Sequence, residues 1–353
     1  MNKEVIFVIN KLHGGGAERV ISIIADYMSK KNMKTIICTY NEVDKKYIES
    51  ENIKYEVINP NEKINFIKKI KRISMLRRIF KSNKNATIIS FEYFVNMQVI
   101  ISSVLLKNKV IISERNDPNI LNKRFILKKM RNFLYNKCDV LVCQTEEAKL
   151  YFNKKIQSKS VIIPNPIMEN LPNRYEGERK KEIVSFSRIE PQKNIKMTID
   201  AFVRLSNEYP DYILSIYGDG SMKNDLIKYV ESIKFSDKIR FFTFKENIHE
   251  LIVDKSMFIS SSNYEGMSNS MLEALAIGLP SIVTDCPCGG SKEVIKNNIN
   301  GILIKVGDEN QLYESMKLII DNKEFSKKLS INATKVKKIY DKNKIGEIWI
   351  NLI

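Results

Sequence analysis

The sequence predicts an α/β protein made of two doubly wound domains. Short apolar runs alternate with helical patterns along almost the whole chain, which is typical of a parallel sheet covered by helices. The runs are continuously apolar, as in Val5–Ile9, and this indicates strands that are buried on both faces. At 353 residues the chain is also long enough for two such domains. Residues 161–166, an apolar run that ends in two prolines, predict the boundary between them.

The first half of the chain predicts one domain, residues 1–165. Its strands are expected at Val5–Ile9, Thr35–Thr39, Lys54–Ile58, Thr87–Ser90, Val110–Ile112 and Val140–Cys143, with a last one at Val161–Ile163. The first strand runs into a glycine turn and then into a helix that extends to about Lys30. A glycine turn between a strand and a helix is the general phosphate-binding arrangement, but this one is neither G-x-G-x-x-G nor a P-loop. By itself it also fits a plain tight turn.

Positive charge is concentrated in this first half. The formal net charge is +17, and residues 1–165 supply +16 of it through 31 Lys and Arg against 15 Asp and Glu. A general bias toward lysine would affect both halves equally. The asymmetry therefore indicates that the first domain meets an anionic surface or an anionic substrate.

Two basic segments with helical periodicity carry much of this charge. Lys63–Lys84 contains nine basic residues and no acidic ones, and Lys123–Lys137 contains six and none. Apolar residues such as Phe66, Ile70 and Phe133 recur at helical spacing within them. Basic amphipathic helices are typical of proteins that bind an anionic lipid surface. The alternative is a helix that packs on the core and exposes a solvated lysine face.

The second half predicts another α/β domain, residues 166–340. Its strands are expected at Ile183–Ser187, Tyr212–Tyr217, Ile239–Phe244, Ser256–Ile259 and Ser281–Thr284, with a turn at Asn300-Gly301 and helices from there to Tyr340. Arg188 and Lys193 follow the first of these strands, at the carboxyl end where open α/β sheets bind ligands. An arginine fork together with a lysine point charge suits a diphosphate, whereas the alternative is a pair of ordinary surface charges.

The most informative stretch is Ser261–Pro280, which reads SSNYEGMSNSMLEALAIGLP. A short buried strand precedes it, and an apolar-periodic helix is expected from about Asn269 to Ile277. Gly266 and Ser268 lie at the turn between the two, so unpaired backbone N–H groups gather at the start of the helix. Such an end carries roughly half a positive charge and is well suited to phosphate.

Two carboxylates flank this helix start. Glu265 precedes the turn, and Glu273 follows one turn inside the helix, about 6 Å along its axis. Because helical side chains lean toward the N-terminus, Glu273 can reach a group joined to a bound phosphate. A carboxylate there would accept two charge-assisted hydrogen bonds from a vicinal diol such as a ribose. Glu265 lies on the other side, where a second sugar would sit. The alternative is a solvated helix with two surface glutamates.

The spacing of Glu265 and Glu273 resembles the E-x7-E element of the retaining GT-B glycosyltransferases known as glycosyltransferase family 4. Other motifs along nearly the whole chain are similar to the same family: GGGAER at 14–19, PNP at 164–166, the loop with Arg188 and Lys193, and Gly218-Asp219-Gly220. The resemblance implies a GT-B fold, in which two Rossmann-like domains face each other across a cleft. It also implies that the closing residues 341–353 pack back onto the first domain.

The resemblance further implies a retaining, metal-independent transfer of a hexose or N-acetylhexosamine from a UDP-linked donor. Arg188 and Lys193 would neutralise the diphosphate, Glu273 would hold the ribose, and Glu265 would contact the donor sugar in the catalytic centre. The other donor-binding residues that the motifs imply are Gly15, Gly16, Gly218, Gly266, Met267, Ser268 and Asn269. Since the chain has no Asp-x-Asp element, we expect no metal, and no cofactor beyond the nucleotide-sugar donor.

On the acceptor side the resemblance points to Glu114, Arg115 and Asn116, which follow the strand at Val110–Ile112. Many relatives carry a histidine in this region, whereas this chain has none there. Together with the basic first half, the resemblance implies a polyprenyl-diphosphate-linked saccharide as acceptor, in capsule, O-antigen or other glycan assembly. The first domain would then bind the anionic inner membrane face, and no nucleic acid is expected as a partner.

The length of the apolar runs and the number of cysteines agree with this expectation. The apolar runs fall short of the roughly 18 residues that cross a bilayer, and the N-terminus lacks a signal-peptide pattern. Five cysteines, an odd number without framework spacing, fit a reducing compartment. Cys286-Pro287-Cys288 has no second cysteine pair that would complete a zinc site. We therefore expect a cytoplasmic protein that is peripheral on the membrane.

Three competing hypotheses remain. Another GT-B enzyme, such as an inverting transferase or a sugar-nucleotide epimerase, would share the architecture. A basic non-enzymatic protein, for example one that binds nucleic acid, would explain the charge but would leave the cleft motifs without a role, and no aromatic-rich platform is visible. A scaffolding paralogue with an inactive site would require that the motif residues be lost, and they are present.

Overall fold

A computed structural model of the chain describes residues 3–12, 15–41, 43, 50–121 and 125–353. The chain forms two compact units. The first unit comprises residues 1–166 together with 342–353, and the second comprises residues 167–341. Each unit holds one parallel sheet with helices packed on it.

The first unit is built on a seven-stranded sheet. Its strands are β1 Glu4–Ile9, β2 Lys34–Thr39, β3 Ile53–Val57, β4 Thr87–Phe91, β5 Val110–Ser113, β6 Val140–Cys143 and β7 Ser160–Ile162. Its helices are α1 Gly16–Lys30, α2 Asn65–Ser82, α3 Tyr93–Ser103, α4 Phe125–Tyr135, α5 Glu146–Leu150 and α6 Lys154–Gln157. The strand order is β3-β2-β1-β4-β5-β6-β7, so the direction of winding reverses between β1 and β4.

The second unit is built on a six-stranded sheet. Its strands are β8 Lys180–Phe186, β9 Ile213–Tyr217, β10 Ile239–Phe242, β11 Lys255–Ser260, β12 Ser281–Thr284 and β13 Ile302–Ile304. Its helices are α7 Ile195–Leu205, α8 Lys223–Ser232, α9 Ile248–Ile252, α10 Asn269–Ala276, α11 Gly290–Val294, α12 Glu309–Asp321, α13 Lys323–Ala333 and α14 Val336–Ile339. The order β10-β9-β8-β11-β12-β13 reverses between β8 and β11.

The last helix, α15 (Lys342–Ile350), belongs to the first unit and packs on α1. Gly346 makes the close approach possible, because a Cβ there would lie 2.2 Å from the ring of Tyr27. The Tyr27 hydroxyl donates a hydrogen bond of 2.5 Å to Glu347. Trp349 is fully buried, and its ring centroid lies 5.8 Å from that of Phe91 on β4. The closing helix thus completes the hydrophobic core of the first unit.

The strands that the periodicity predicts are all present, with ends displaced by a few residues at most. The sequence analysis missed β13. The prediction that helices begin directly after Asn300-Gly301 is wrong, because the strand comes first. β13 has only three residues, which is too short for a periodic pattern to indicate a strand. Pairing with β12, in which Ile302 lies opposite Ile282, makes this segment part of the sheet.

The two basic helices, α2 and α4, are packed less deeply than a core-facing helix would be. In α2 only Leu76 and Phe80 are buried, whereas Phe66 is 71% exposed. In α4 Ile126 is 80% exposed and Phe133 is 63% exposed. Both helices pack against α3. Of the second basic segment, residues 123 and 124 lie outside the described residues, as do residues 13 and 14 of the glycine turn.

Candidate active site

The carboxyl edge of the second sheet contains the point where its winding reverses, between β8 and β11. Ligands of open α/β sheets bind at such a point, because the two flanking loops diverge there and leave a crevice. Residues 187–194 form the loop after β8, and residues 261–268 form the loop after β11. Most of the predicted donor-side residues lie on these loops and on α10. The topology therefore brings Arg188 and Lys193 to the same carboxyl edge of the sheet as Glu265 and the start of α10.

Hydrogen bonds join the two loops along their backbones. The Asn263 amide donates to the Gln192 carbonyl at 2.8 Å, and the Gln192 side-chain amide donates to the Tyr264 carbonyl at 2.8 Å. Ser261 Oγ donates to the Asn194 carbonyl at 2.9 Å. Because these contacts run in both directions, the loop that carries the predicted cations has a fixed position relative to the loop that carries Glu265.

Lys193 and Glu265 form an ion pair across these loops. Their side chains are only 12% and 13% exposed, so the pair is shielded from most of the solvent. Ser262 Oγ also donates to Glu265 Oε1, at 3.1 Å. Arg188, on the same loop as Lys193, is exposed. An ammonium group has three N–H donors, so Lys193 can bind an anion while it keeps this pair or after it gives the pair up.

Helix α10 begins at the same edge. Ser268 is its N-cap, and the Ser268 hydroxyl accepts a hydrogen bond from the Met271 amide at 3.4 Å. Gly266 and Met267, which precede the cap, are buried together with Ser268, while Asn269 is half-buried. The first turn of a helix presents N–H groups that have no partner within the helix, and its end carries about half a positive charge. Together with Arg188 and Lys193 this is an arrangement suited to a diphosphate.

Glu273 lies inside α10 and is buried rather than solvated. Its Oε2 atom is 2.9 Å from Nε2 of His249, which is on α9. The two side chains are 5% and 7% exposed. The expectation of two solvated glutamates on a helix surface therefore does not describe this residue. Sequence reasoning did not select His249, since no motif contains it and the only signal was the rarity of histidine in the chain.

Two glycines allow neighbouring segments to approach these two loops closely. Gly218, after β9, has φ +149°, and a Cβ there would lie 1.9 Å from the Ser187 carbonyl oxygen in the loop that carries Arg188. Gly290, at the start of α11, approaches the turn before α10 in the same way, because a Cβ there would lie 1.8 Å from the Gly266 carbonyl oxygen. Any other residue would displace backbone at either position. Gly218, a predicted donor-side residue, thus shapes the loop of Arg188.

The other five predicted residues belong to the first unit. Gly15 and Gly16 lie between β1 and α1, near the reversal of that sheet. The Gly15 amide donates to the buried carboxylate of Glu18 at 3.0 Å. This bond closes the turn from within α1. The described part of the glycine motif is therefore a capped helix start.

Glu114, Arg115 and Asn116 follow β5, and the first two of them are turned toward the protein interior. Glu114 is 5% exposed and accepts a hydrogen bond from the hydroxyl of Tyr135 on α4. Burial raises the pKa of its carboxyl group. Asn116 is half-buried and its side-chain oxygen accepts from the Asp117 amide at 2.9 Å.

Arg115 is held between aromatic rings. Its guanidinium lies 4.5 Å from the ring centroid of Phe91 and 5.5 Å from that of Trp349. It donates to Asn165 Oδ1 at 2.9 Å, and burial lowers its pKa to about 9. This contact joins the end of β5, the closing helix and the segment that leaves the first unit.

Metal-ligand clusters are absent from the part of the chain that the structure describes: no group of three or more His, Cys, Asp or Glu side chains there could hold an ion. The thiol of Cys286 donates to the Ser262 carbonyl at 3.0 Å, and burial raises its pKa to about 12.

Within the same described ranges no helix has the length and apolar character that crossing a bilayer requires.

Each unit matches a protein-family model. Residues 168–336 match the family model of glycosyl transferases group 1. Residues 20–134 match the model of the glycosyltransferase family 28 N-terminal domain. The first match spans nearly all of the second unit, including both loops of the crevice and α10.

Several curated proteins are similar over the full chain or much of it. One from Campylobacter jejuni, a GalNAc-alpha-(1->4)-GalNAc-alpha-(1->3)-diNAcBac-PP-undecaprenol alpha-1,4-N-acetyl-D-galactosaminyltransferase, is 26% identical over 99% of this chain and 98% of its own. Another from the same organism, an N-acetylgalactosamine-N,N'-diacetylbacillosaminyl-diphospho-undecaprenol 4-alpha-N-acetylgalactosaminyltransferase, is 25% identical over 98% of each chain. A UDP-Gal:alpha-D-GlcNAc-diphosphoundecaprenol alpha-1,3-galactosyltransferase from Escherichia coli is 26% identical over 60% of each.

Solved structures share the whole fold. The Anabaena protein HepE, in complex with UDP and glucose, aligns with a TM-score of 0.87 at 15% identity over 99% of both chains. TarM from S. aureus, in a complex that contains UDP, aligns with a TM-score of 0.82 at 13% identity over 99% of both chains. The predicted GT-B architecture is confirmed by this likeness.

Proposed function

We propose that this chain, a GT-B glycosyltransferase whose second unit belongs to the glycosyl transferases group 1 family, moves a hexose or N-acetylhexosamine from a UDP-linked donor with retention at the anomeric carbon. The observation that carries the proposal is the convergence of Lys193, Glu265 and the start of α10 at the reversal point of the second sheet. The cation and the helix N-terminus suit the negative diphosphate of a nucleotide sugar, and the carboxylate suits hydroxyl groups of its sugars.

The diphosphate of the donor would lie at the start of α10. Arg188 and Lys193 would stabilise its negative charge as the bond to the sugar breaks, together with the N–H groups of Gly266–Asn269. Charge stabilisation that is already oriented before the reaction lowers the barrier, because the groups do not have to reorganise. In this scheme the protein supplies the positive charge, and the transfer needs no metal ion.

The two glutamates would hold the two sugars of the donor. Glu273 would accept hydrogen bonds from the ribose hydroxyls, and Glu265 would accept them from the transferred sugar. In the free protein Lys193 and Glu265 neutralise each other. Donor binding would give each a new partner, because the diphosphate attracts the ammonium and the sugar hydroxyls approach the carboxylate.

Retention follows from a reaction on one face of the donor sugar. The bond between the anomeric carbon and the phosphate oxygen breaks, and the acceptor oxygen forms its bond to that carbon from the same side. The leaving phosphate oxygen takes the proton of the acceptor hydroxyl. No protein nucleophile is needed in this scheme, so Glu265 acts by positioning the donor sugar.

We propose a polyprenyl-diphosphate-linked saccharide as the acceptor. Support comes from the names of the Campylobacter and Escherichia relatives, which specify undecaprenol-linked substrates, and from the charge of the first half. Asn116, after β5, remains the proposed acceptor-side residue. Glu114 and Arg115 are assigned to support this loop, because Glu114 is buried and accepts a hydrogen bond from Tyr135, and because the Arg115 guanidinium packs against Phe91 and Trp349.

A lipid-linked acceptor would bring the enzyme to the inner face of a membrane, and helices α2 and α4 are the proposed contact. Their exposed apolar residues, among them Phe66 and Ile126, would enter the lipid headgroup region. Exposed lysines on the same helices, such as Lys69 and Lys129, would bind anionic headgroups. Two basic helices that also expose large apolar side chains suit a lipid surface better than they suit solvent.

The test is UDP release from UDP-GalNAc, UDP-GlcNAc, UDP-galactose and UDP-glucose, measured with and without a membrane extract. We expect acceptor-dependent release from one of them, and loss of that release in Arg188→Ala. NMR of the product decides the stereochemistry, because an inverted anomeric centre would identify an inverting transferase. An isomerised donor without any transfer would identify a sugar-nucleotide epimerase. Absence of turnover with every donor would contradict the proposal.

A further inference from the structure

A buried contact between His249 and Glu273 joins α9 to α10, the helix that begins at the carboxyl edge of the second sheet. Nε2 of His249 lies 2.9 Å from Oε2 of Glu273, and both side chains are almost fully buried. The two residues are 24 positions apart and lie on different helices. With Glu273 ionised and His249 in the tautomer that carries a proton on Nε2, the histidine nitrogen donates and the carboxylate accepts.

The core holds the imidazole ring in place. The ring packs edge-on against Phe186, with the centroids 6.0 Å apart and the planes at 90°. Phe186 is the last residue of β8 and packs in turn against Phe258 of β11, with centroids 4.9 Å apart. These are the two strands that flank the reversal point of the sheet. The donor nitrogen of His249 therefore has a position fixed by the scaffold that builds the crevice.

We infer that His249 is the positioning residue for the ribose of the nucleotide, acting through the carboxylate of Glu273. The inference rests on the proposed assignment of Glu273 to the ribose. A carboxylate has about four acceptor positions, and the bond from His249 occupies one of them. The bond keeps the carboxylate oriented before the nucleotide arrives, and a ligand-binding group that is already oriented loses less freedom on binding.

A satisfied core histidine would be the simpler role, and the two roles differ in what they affect. Loss of a merely structural contact lowers the stability of the unit and weakens every nucleotide alike. Loss of the positioning contact weakens only those nucleotides that have ribose hydroxyls. The decisive quantity is therefore the affinity for UDP relative to that for 2′,3′-dideoxy-UDP, which lacks both hydroxyls.

The experiment measures both affinities by calorimetry for the wild type, His249→Phe, His249→Gln and His249→Asn in the full chain. Phenylalanine keeps an aromatic ring against Phe186 and removes the donor nitrogen. The glutamine amide can reach the position of Nε2, whereas the asparagine amide is one methylene shorter and cannot reach the carboxylate. We expect the wild type to prefer UDP by about 10- to 100-fold, the range that a single charge-assisted hydrogen bond supplies.

In His249→Phe and His249→Asn this preference should fall close to unity while the affinity for dideoxy-UDP is kept, and His249→Gln should retain most of the preference. An unchanged preference in His249→Asn, or in His249→Phe, would overturn the inference. If His249→Phe does not fold, the Gln and Asn pair still decides it. A wild type that binds UDP and dideoxy-UDP equally would instead refute the ribose assignment of Glu273, and a wild type that binds neither would refute the UDP donor.

Discussion

Lys193 and Glu265, which are 72 residues apart in the chain, form an ion pair at the carboxyl edge of the second sheet. Each side chain comes from a different loop, and backbone hydrogen bonds between these loops keep the two charges together. Before a donor arrives, the most shielded cation and the most shielded carboxylate of the two loops neutralise each other. In the proposed function, donor binding would therefore be an exchange of partners at a site that is already assembled.

Removal of the Lys193 charge should impair turnover more than binding. Lys193→Ala takes away the cation that is proposed to face the leaving diphosphate, and we expect kcat to fall by about 100- to 1,000-fold, as for other oriented charge-stabilising groups. Steady-state kinetics of UDP release measure the effect. Lys193→Arg keeps the charge and serves as the matched control with a smaller loss. Turnover near that of the wild type in Lys193→Ala would contradict the role of this residue.

The two glutamates should separate binding from turnover. Glu273→Ala should weaken UDP itself by about 1.5–3 kcal/mol, because it removes charge-assisted hydrogen bonds to the ribose. Glu265→Ala should leave UDP affinity nearly unchanged and lower turnover, because UDP lacks the transferred sugar. Calorimetry with UDP and kinetics with the complete donor distinguish the two effects. The opposite ranking of the two variants in UDP affinity would reverse the assignments.

The close approach of Gly290 to Gly266 should make the donor site sensitive to a single methyl group. In Gly290→Ala the new Cβ would lie 1.8 Å from the Gly266 carbonyl oxygen, so the turn before α10 has to move. We expect weaker UDP binding by calorimetry. Gly301→Ala is the control, because its Cβ would lie 3.2 Å from the nearest atom, a methyl group of Ile295. Equal UDP affinity in both variants and the wild type would show that the turn does not position the diphosphate.

Metal removal should have no effect on the reaction. Arg188, Lys193 and the start of α10 are proposed to supply the positive charge that a metal ion supplies in other transferases. Activity in excess EDTA should therefore equal activity without it, measured as UDP release from the preferred donor. A strict requirement for Mn²⁺ or Mg²⁺, restored by addition of the ion, would refute the metal-free mechanism.

Lipid binding should depend on α2 and α4. The protein should bind liposomes of phosphatidylglycerol and not those of phosphatidylcholine, since each basic residue near the surface contributes about 1 kcal/mol. Binding should fade toward molar salt, where screening shortens to about 3 Å. Reversal of four exposed charges should abolish binding and leave donor hydrolysis unchanged. The four are Lys63, Lys69, Arg78 and Lys81.

The choice of these residues avoids two arginines of α2 that have structural roles. Arg72 donates to the Tyr40 carbonyl, and Arg77 donates to the Ser102 and Val104 carbonyls. A matched control reverses four exposed lysines of the second unit, Lys228, Lys323, Lys327 and Lys328. Phe66→Ala with Phe133→Ala tests the apolar contribution at constant charge. Lipid binding that survives both the α2 reversals and high salt would show that this basic face is not the anchor.

Sequence patterns predict the two α/β halves, nearly every strand, and the loops that carry Arg188, Lys193 and Glu265. These are local properties: a strand buried on both faces is a continuous apolar run, and a loop at its carboxyl end is the next polar segment. The strand β13 was missed because three residues carry no measurable period. The tertiary pairing with β12 supplies what that short segment lacks.

Which side chains contact each other depends on packing between elements and could not be predicted from the sequence. His249 and Glu273 lie on separate helices, and their contact depends on how α9 and α10 are rotated against β8 and β11. Glu114 follows a strand as a candidate ligand would, yet its carboxylate turns inward because Tyr135 of α4 donates a hydrogen bond to it. The apolar spacing of α2 predicts a helix, but not that Phe66 is exposed while Phe80 is buried. Periodicity specifies the face of an element, and packing between elements then decides what that face contacts.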